Sequence, residues 1–291
     1  MTQIIQSLSE ISDRYEALFV DLWGCLHNGV TAFPDAVAAM QTYRAKGGKV
    51  VLVTNSPKPR AGVAEQLVQF GVPEDAYDTI ATSGDSARTA MFRGVVGSSV
   101  YFMGEWTRDA GFFEPIGIVG DPAPITRVPL TEAEGIVCCG PFDPMADPSE
   151  NRADFLYAKQ KGLKLLCANP DIVVDRGDRR EWCAGALARL YTEMGGESLY
   201  FGKPHPPIYD LARRRLTELG KDVGNTAILA IGDGALTDIR GAMGEDIDSL
   251  FISGGLAAKE TRTVEQPDPD ALSHYLEKEM SNPTYAIGHL R

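Results

Sequence analysis

Asp21 follows the apolar run "ALFV", Thr54 and Asn55 follow "VVLV", Lys203 follows "LYFG", and Asp233 follows "ILAIG" with Asp238 one helical turn further on. Open parallel sheets place their ligand sites at the carboxyl ends of their strands, so polar residues that terminate apolar runs are the informative ones. A carboxylate nucleophile, a hydroxyl, a lysine and two further carboxylates together support phosphoryl transfer through a covalent aspartyl phosphate. Asp21 would attack phosphorus, while Thr54 and Lys203 would hold the nonbridging oxygens as a hydrogen-bond donor and a fixed positive charge. A Mg²⁺ ion between Asp21 and Asp233 would screen the two carboxylates from the incoming anion.

These residues span more than half of the sequence, so the elements between them must bring them together. "ALFVDLW" reads as a strand, "PDAVAAMQTYRAKG" as a helix opened by Pro34 and Asp35 and closed by Gly47 and Gly48, and "KVVLVTNS" as the next strand. A second helix, from about Pro59 to Phe70, leads to the strand "YDTIATSG". The same alternation returns near the end, where "SLYFGKP" precedes the helix "PPIYDLARRRLTELG", "TAILAIGD" precedes "LTDIRGAMGE", and "DSLFISGG" follows. In the first of those helices Ile208, Leu211, Ala212, Leu216 and Leu219 recur at helical spacing, set against Arg213, Arg214 and Arg215. Strand, helix, strand repeated is the pattern of a parallel sheet with crossovers, here an α/β fold with three late strands beside three early ones.

Between these halves lie "SSVYFMG", "EGIVCCG" and "LKLLCANPD" as strands, separated by segments rich in proline and aspartate. A block with its own strands, bracketed by two halves of one sheet, reads as an inserted domain. The expected division is a core of 1–84 and 197–291 with an inserted α/β domain of 85–196, and a chain of 291 residues is long enough for two cores.

A net charge of -12 argues against nucleic acid or an anionic membrane as the main partner, because both need a basic surface. No apolar run has the length of a transmembrane helix, and the polar start "MTQIIQSLSEISDRY" lacks the features of a signal peptide, so a cytoplasmic location is expected. The cysteines Cys25, Cys138, Cys139, Cys167 and Cys183 form no CxxC pair, and are read as reduced packing residues.

The order hhhhDxxGxLxxG, hhhTN, GKPxPxxY, hGDxxxTDI, carried by "LFVDLWGCLHNG", "VLVTNSP", "FGKPHPPIY" and "AIGDGALTDIRGA", resembles the haloacid dehalogenase (HAD) superfamily, in particular its NagD-like branch. The resemblance implies a Rossmannoid core with an α/β cap inserted between the second and third motifs, and a phosphatase acting on a small phosphorylated metabolite such as a sugar phosphate or nucleotide monophosphate. It implies Asp21 as nucleophile, Thr54 and Lys203 as phosphate ligands, and Asp233 as a Mg²⁺ ligand, with Asp238 supporting the metal. Trp23 would add its backbone carbonyl to the metal, and Trp23, Gly24, His27 and Asn55 would line the phosphate and substrate pocket. Arg176, in the charged run "DRGDRREW" with Arg179 and Arg180, would meet an anionic substrate from the cap. Members of the branch often pair through the cap, so a homodimer is a further expectation.

Phosphatases of this family carry a second aspartate where this chain has Trp23. An indole N–H is a donor with no useful pKa, so it can neither protonate a leaving alcohol nor activate water. Loss of a positioned acid/base lowers a rate by about 10² to 10⁴, or about 3 to 5.5 kcal/mol of barrier. Three readings follow. In the first, the acid comes from elsewhere, with His27 the nearest candidate. In the second, the reaction is a dehalogenation, although only one crossover helix fits between Asp21 and Thr54 and the retained Asp233 and Asp238 favour a metal site. In the third, the chain is a phosphate-ligand binding or regulatory protein that has lost catalysis.

Overall fold

The structure is a computed structural model that describes residues 2–115, 120–176 and 179–291, without the side chains of Asp175 and Arg176. Its strands, in chain order, are β1 Gln3–Ile4, β2 Ala17–Val20, β3 Lys49–Thr54, β4 Thr79–Thr82, β5 Ser99–Met103, β6 Thr126–Arg127, β7 Gly135–Cys138, β8 Lys164–Cys167, β9 Val173–Arg176, β10 Arg179–Trp182, β11 Glu197–Tyr200, β12 Ile228–Gly232, β13 Asp248–Ile252 and β14 Tyr285–Ile287. Contacts divide the chain into one unit of Met1–Thr54, Ala64–Ala81 and Lys203–Arg291, and a second of Asn55–Val63 and Thr82–Gly202.

The first unit is built on a seven-stranded sheet in the order β1-β14-β13-β12-β2-β3-β4. The pairings β12 with β2 and β2 with β3 are parallel, with Val20 opposite both Ile231 and Leu52. All four residues of β2 and all five of β12 are buried, as expected of strands covered on both faces. The helix Pro34–Ala45 starts with proline at its first turn and buries Ala36, Met40 and Tyr43, one helical stripe. The helix Pro206–Glu218 buries Ile208, Leu211, Ala212 and Leu216 as its spacing predicts, while Leu219, expected on the same stripe, lies just past its end and is exposed. Arg215 departs from the expected polar side. It stands four residues after Leu211 and so shares the apolar face, where it is buried and reaches Glu218 at 3.0 Å.

The second unit carries a five-stranded parallel sheet in the order β11-β8-β7-β5-β6 and the antiparallel pair β9 with β10. The strands expected at "SSVYFMG", "EGIVCCG" and "LKLLCANPD" are β5, β7 and β8. Their inward residues join those of the helices Arg152–Gln160 and Ala184–Glu193 in a core around Phe155, Leu165, Leu187 and Tyr191. "SLYFGKP" corrects the sequence reading, which placed it in the core sheet. Its strand pairs with β8, Leu199 opposite Leu166, and so belongs to the second unit. The place in the first sheet goes instead to β14, with β1 at its edge. Among the described residues no helix is long and apolar enough to cross a membrane.

Candidate active site

The register fixes the site. Because Val20 and Ile231 are partners across parallel strands, Asp21 and Asp233 emerge from neighbouring strands at the same end, and the Asp21 amide donates to the Ile231 carbonyl at 2.8 Å. Thr54, buried, ends β3 on the other side of β2. A five-residue π-helical turn, Ala235–Ile239, follows Gly234 and turns Asp238 inward. Lys203, which begins the last stretch of the first unit, donates from Nζ to Asp21 Oδ1 at 2.5 Å and to Asp238 Oδ1 at 2.7 Å. Asp21, Thr54, Lys203, Asp233 and Asp238 are each at most 8% exposed.

Each carboxylate is fixed by more than its charge. Asp238 Oδ2 accepts from the Gly234 amide and from Thr237 Oγ1, both at 3.2 Å. Asp233 Oδ2 accepts from the Leu256 amide at 2.9 Å. Asp233 also lies in a cradle of two glycines: a Cβ on Gly24 or on Gly255 would come within 2.1 Å of its Oδ2. Gly24 has φ +72°, a left-handed conformation that glycine adopts without strain, so both its geometry and its missing side chain are required.

Burial raises the Asp21 carboxyl to about 7, with Lys203 opposing and Asp238 adding to the rise. Burial, followed by the charges of Asp21 and Asp238, also holds Asp233 well above the ordinary carboxylate range. Burial alone would lower Lys203, but Asp21 and Asp238 outweigh it and keep the ammonium charged. Three carboxylates thus face one ammonium in a dry site, an excess of negative charge that a cation relieves. Donor atoms of Asp21, Asp233 and Cys25 lie within 4.8 Å of one another, a spacing that fits one ion. Hard carboxylate oxygens from adjacent strand ends suit a divalent cation such as Mg²⁺.

The geometry adds contacts to the expected roles. Asp238, read as a metal-supporting group, also engages Lys203. Cys25 takes the third place near the Asp21 and Asp233 oxygens, although the sequence reading left it as a packing residue. It is 1% exposed, and burial together with the Asp233 and Asp21 charges holds its thiol well above the usual range. The available signal was its place in the same loop, two residues after Trp23.

Trp23 is half-buried, with its ring edge-on to His27 at 5.3 Å between centroids. His27 is 1% exposed, packs edge-on against Phe70 at 4.9 Å, and accepts at Nδ1 from the Gly29 amide at 3.0 Å. Burial pushes it down to about 4, so it is neutral and already engaged at one ring nitrogen. These properties oppose the suggestion that His27 serves as the missing acid. Asn55 belongs to the second unit, where its Nδ2 donates to Asp171 Oδ1 at 2.8 Å. Arg176 ends β9 with its side chain outside the described residues, while Arg179 and Arg180 are exposed on β10.

Comparison with known proteins agrees with this geometry. Residues 18–117 match the family described as haloacid dehalogenase-like hydrolase, and residues 200–278 match a HAD-hydrolase-like family. A solved structure of a haloacid dehalogenase-like hydrolase from Brucella suis 1330 is 38% identical, covers 99% of this chain and 100% of its own, and superposes with a TM-score of 0.84. The 5'-nucleotidase YutF of Bacillus subtilis (strain 168) is 25% identical over 269 residues, 90% of this chain and 98% of that protein. The glycerol-3-phosphate phosphatase of Homo sapiens is 28% identical over 247 residues, 77% of this chain and 74% of that protein. With motifs, sheet order and strand-end carboxylates in agreement, the chain belongs to the haloacid dehalogenase-like hydrolases, on their NagD-like branch.

Proposed function

We propose that the chain is a Mg²⁺-dependent phosphatase of small phosphorylated metabolites, with Asp21 as its nucleophile. The observation that carries this reading is the buried cluster in which Asp21 meets Lys203 at 2.5 Å and lies near Asp233 at the end of an adjacent strand. Asp21 and Asp233, with the Trp23 carbonyl, would hold the cation, which supplies charge neutralisation for the incoming phosphate. Lys203 Nζ, aimed by Asp238, and Thr54 Oγ1 hold the nonbridging oxygens where negative charge concentrates in the transition state. Asp21 attacks phosphorus, and the leaving group departs with the electron pair of the broken P–O bond. The names of the relatives, a nucleotidase and a glycerol-3-phosphate phosphatase, support a phosphomonoester as substrate.

The test is phosphate release from nucleotides, sugar phosphates and p-nitrophenyl phosphate, with Mg²⁺ or with EDTA, beside Asp21→Asn. Release that needs the metal and drops at least ~10⁴-fold in the variant is expected, on the scale of losing a covalent nucleophile. Release that survives Asp21→Asn would overturn the reading. Trp23 favours a second reading, a phosphate-binding protein without turnover, which predicts that Mg²⁺ and orthovanadate bind while no substrate in the panel is cleaved.

A further inference from the structure

Resting on the reading of Asp21 and Asp233 as a cation site, we propose that Cys25 adds a sulfur ligand to it, so that thiophilic divalent cations of the Zn²⁺ and Cd²⁺ class bind there in preference to Mg²⁺ and displace it. The observation behind this is the approach of sulfur to carboxylate oxygen. Donor atoms of Asp21, Cys25 and Asp233 all lie within 4.8 Å of one another, and all three residues are buried. Bonds of about 2.3 Å to sulfur and 2.0–2.2 Å to oxygen keep two ligands of one ion within about 4.5 Å, the scale of that separation.

The sulfur is held in place by the backbone around it. The Leu26 and His27 amides both donate to the Leu22 carbonyl, at 2.8 and 3.1 Å, and the Gly24 amide donates to the His27 carbonyl at 3.0 Å, a closed turn with Cys25 inside it. Leu22 and Leu26, on either side, are buried and anchor the turn in the core. The carboxylates are oriented as well, Asp21 by Lys203 at Oδ1 and Asp233 by the Leu256 amide at Oδ2. A ligand set fixed before the cation arrives loses little rotamer freedom on binding.

The ligand types set the preference. Mg²⁺ is a hard cation that takes oxygen ligands and gains nothing from sulfur, whereas Zn²⁺ takes thiolate and soft ligands select soft cations. As the sulfur–metal bond forms the thiol proton leaves to solvent, one for each cation bound, and no electron is transferred. Thiols of the second unit have other company: Cys138 and Cys167 direct Sγ to the carbonyls of Gly140 and Asn169. The cation that occupies the first unit therefore depends on which is supplied, and a thiophilic one holds Asp21 and Asp233 more firmly than Mg²⁺ does.

The experiment titrates the full chain with Cd²⁺ and with Mg²⁺, measuring affinities by calorimetry and the sulfur-to-cadmium charge-transfer absorbance in the ultraviolet. The expected result is a charge-transfer band that saturates at one Cd²⁺ per chain and that Mg²⁺ removes only in large excess. In Cys25→Ser the band is lost, and the ratio of Cd²⁺ to Mg²⁺ affinity falls at least ~10²-fold, beyond the 10- to 100-fold that outer-shell partners are worth. If that variant fails to fold, Asp233→Asn, which keeps the sulfur and removes an oxygen ligand, should weaken Cd²⁺ binding at the same band. No band, a band that survives Cys25→Ser, or one that neither Mg²⁺ nor Asp233→Asn affects would overturn the proposal, the last two by assigning the signal to other thiols. The absorbance is read without turnover, so a chain that binds Cd²⁺ in this way yet releases no phosphate would remove the phosphatase reading alone. Phosphate release that needs Mg²⁺ and Asp21, with no band from Cys25, would remove this proposal alone.

Discussion

The two units of this chain are both built on parallel sheets, yet they treat buried charge in opposite ways. In the second unit Arg88 and Asp85 meet at 2.9 Å with side chains only 5% exposed, and Arg108 binds both oxygens of the buried Asp109 at 2.8 Å. In the strand-end cluster of the first unit, Asp21, Asp233 and Asp238 share Lys203. The strands of the second sheet run out at Met103, Cys138 and Cys167, while those of the first run out beside Asp21, Thr54 and Asp233. A parallel sheet is therefore not sufficient for a site. The polar residues at the strand ends, left short of positive charge, distinguish the first unit as the one proposed to take a cation and an anion together.

This contrast can be broken by mutation. Arg88→Met leaves Asp85 buried without its guanidinium and should lower stability by about 3–5 kcal/mol in urea unfolding, as for other buried pairs stripped of one partner. A change under about 1 kcal/mol would mean the pair is not a matched, desolvated unit. His27 offers the next effect. Its ring titrates near 6.5 when unfolded and at about 4 when folded, so the unfolded state binds more protons between those values. The stability this gives is present above pH 6.5 and is lost as pH falls towards 4, by about 3 kcal/mol; His27→Phe should lack that part of the acid loss.

Cation binding sharpens the comparison on the other side. Mg²⁺ at about a hundred times its dissociation constant should raise stability by about 2.7 kcal/mol, read as a higher melting temperature, and Asp233→Asn should abolish the rise. The smallest effect has the opposite sign to ordinary core mutations. In EDTA at pH 7, Asp21→Asn should raise the urea midpoint slightly, because it removes a carboxylate whose burial penalty exceeds what Lys203 returns. Destabilisation in that variant would show that Lys203 balances the cluster by itself.

The sequence carried most of the first unit because its signals are local. Apolar runs that stop at Asp21, Thr54 and Asp233 are strands whatever lies beside them, and parallel pairing then brings their ends together. What was hidden depended on distant partners. "SLYF" is as apolar as a core strand, and only its ladder with Lys164–Cys167 assigns it to the second sheet. β14 and β1, three and two residues long, are too short to carry a period. Asp238 was legible as part of the site, but its attachment to Lys203 rests on a π-helical turn that no spacing rule announces. Cys25 resembled any small buried residue, since a thiol in an apolar stretch packs like alanine until carboxylates are found beside it.

The two glycines that flank Asp233 have a consequence for anyone who would move this site to another protein. Copying Asp21, Thr54, Lys203 and Asp233 onto a parallel sheet would reproduce the charges without the clearance that positions them, because Oδ2 of Asp233 occupies space that an alanine at position 24 or 255 would claim. The transferable unit is therefore a cast as much as a set of functional groups. Its least visible parts, two hydrogens where methyl groups would otherwise stand, set where the carboxylate can be.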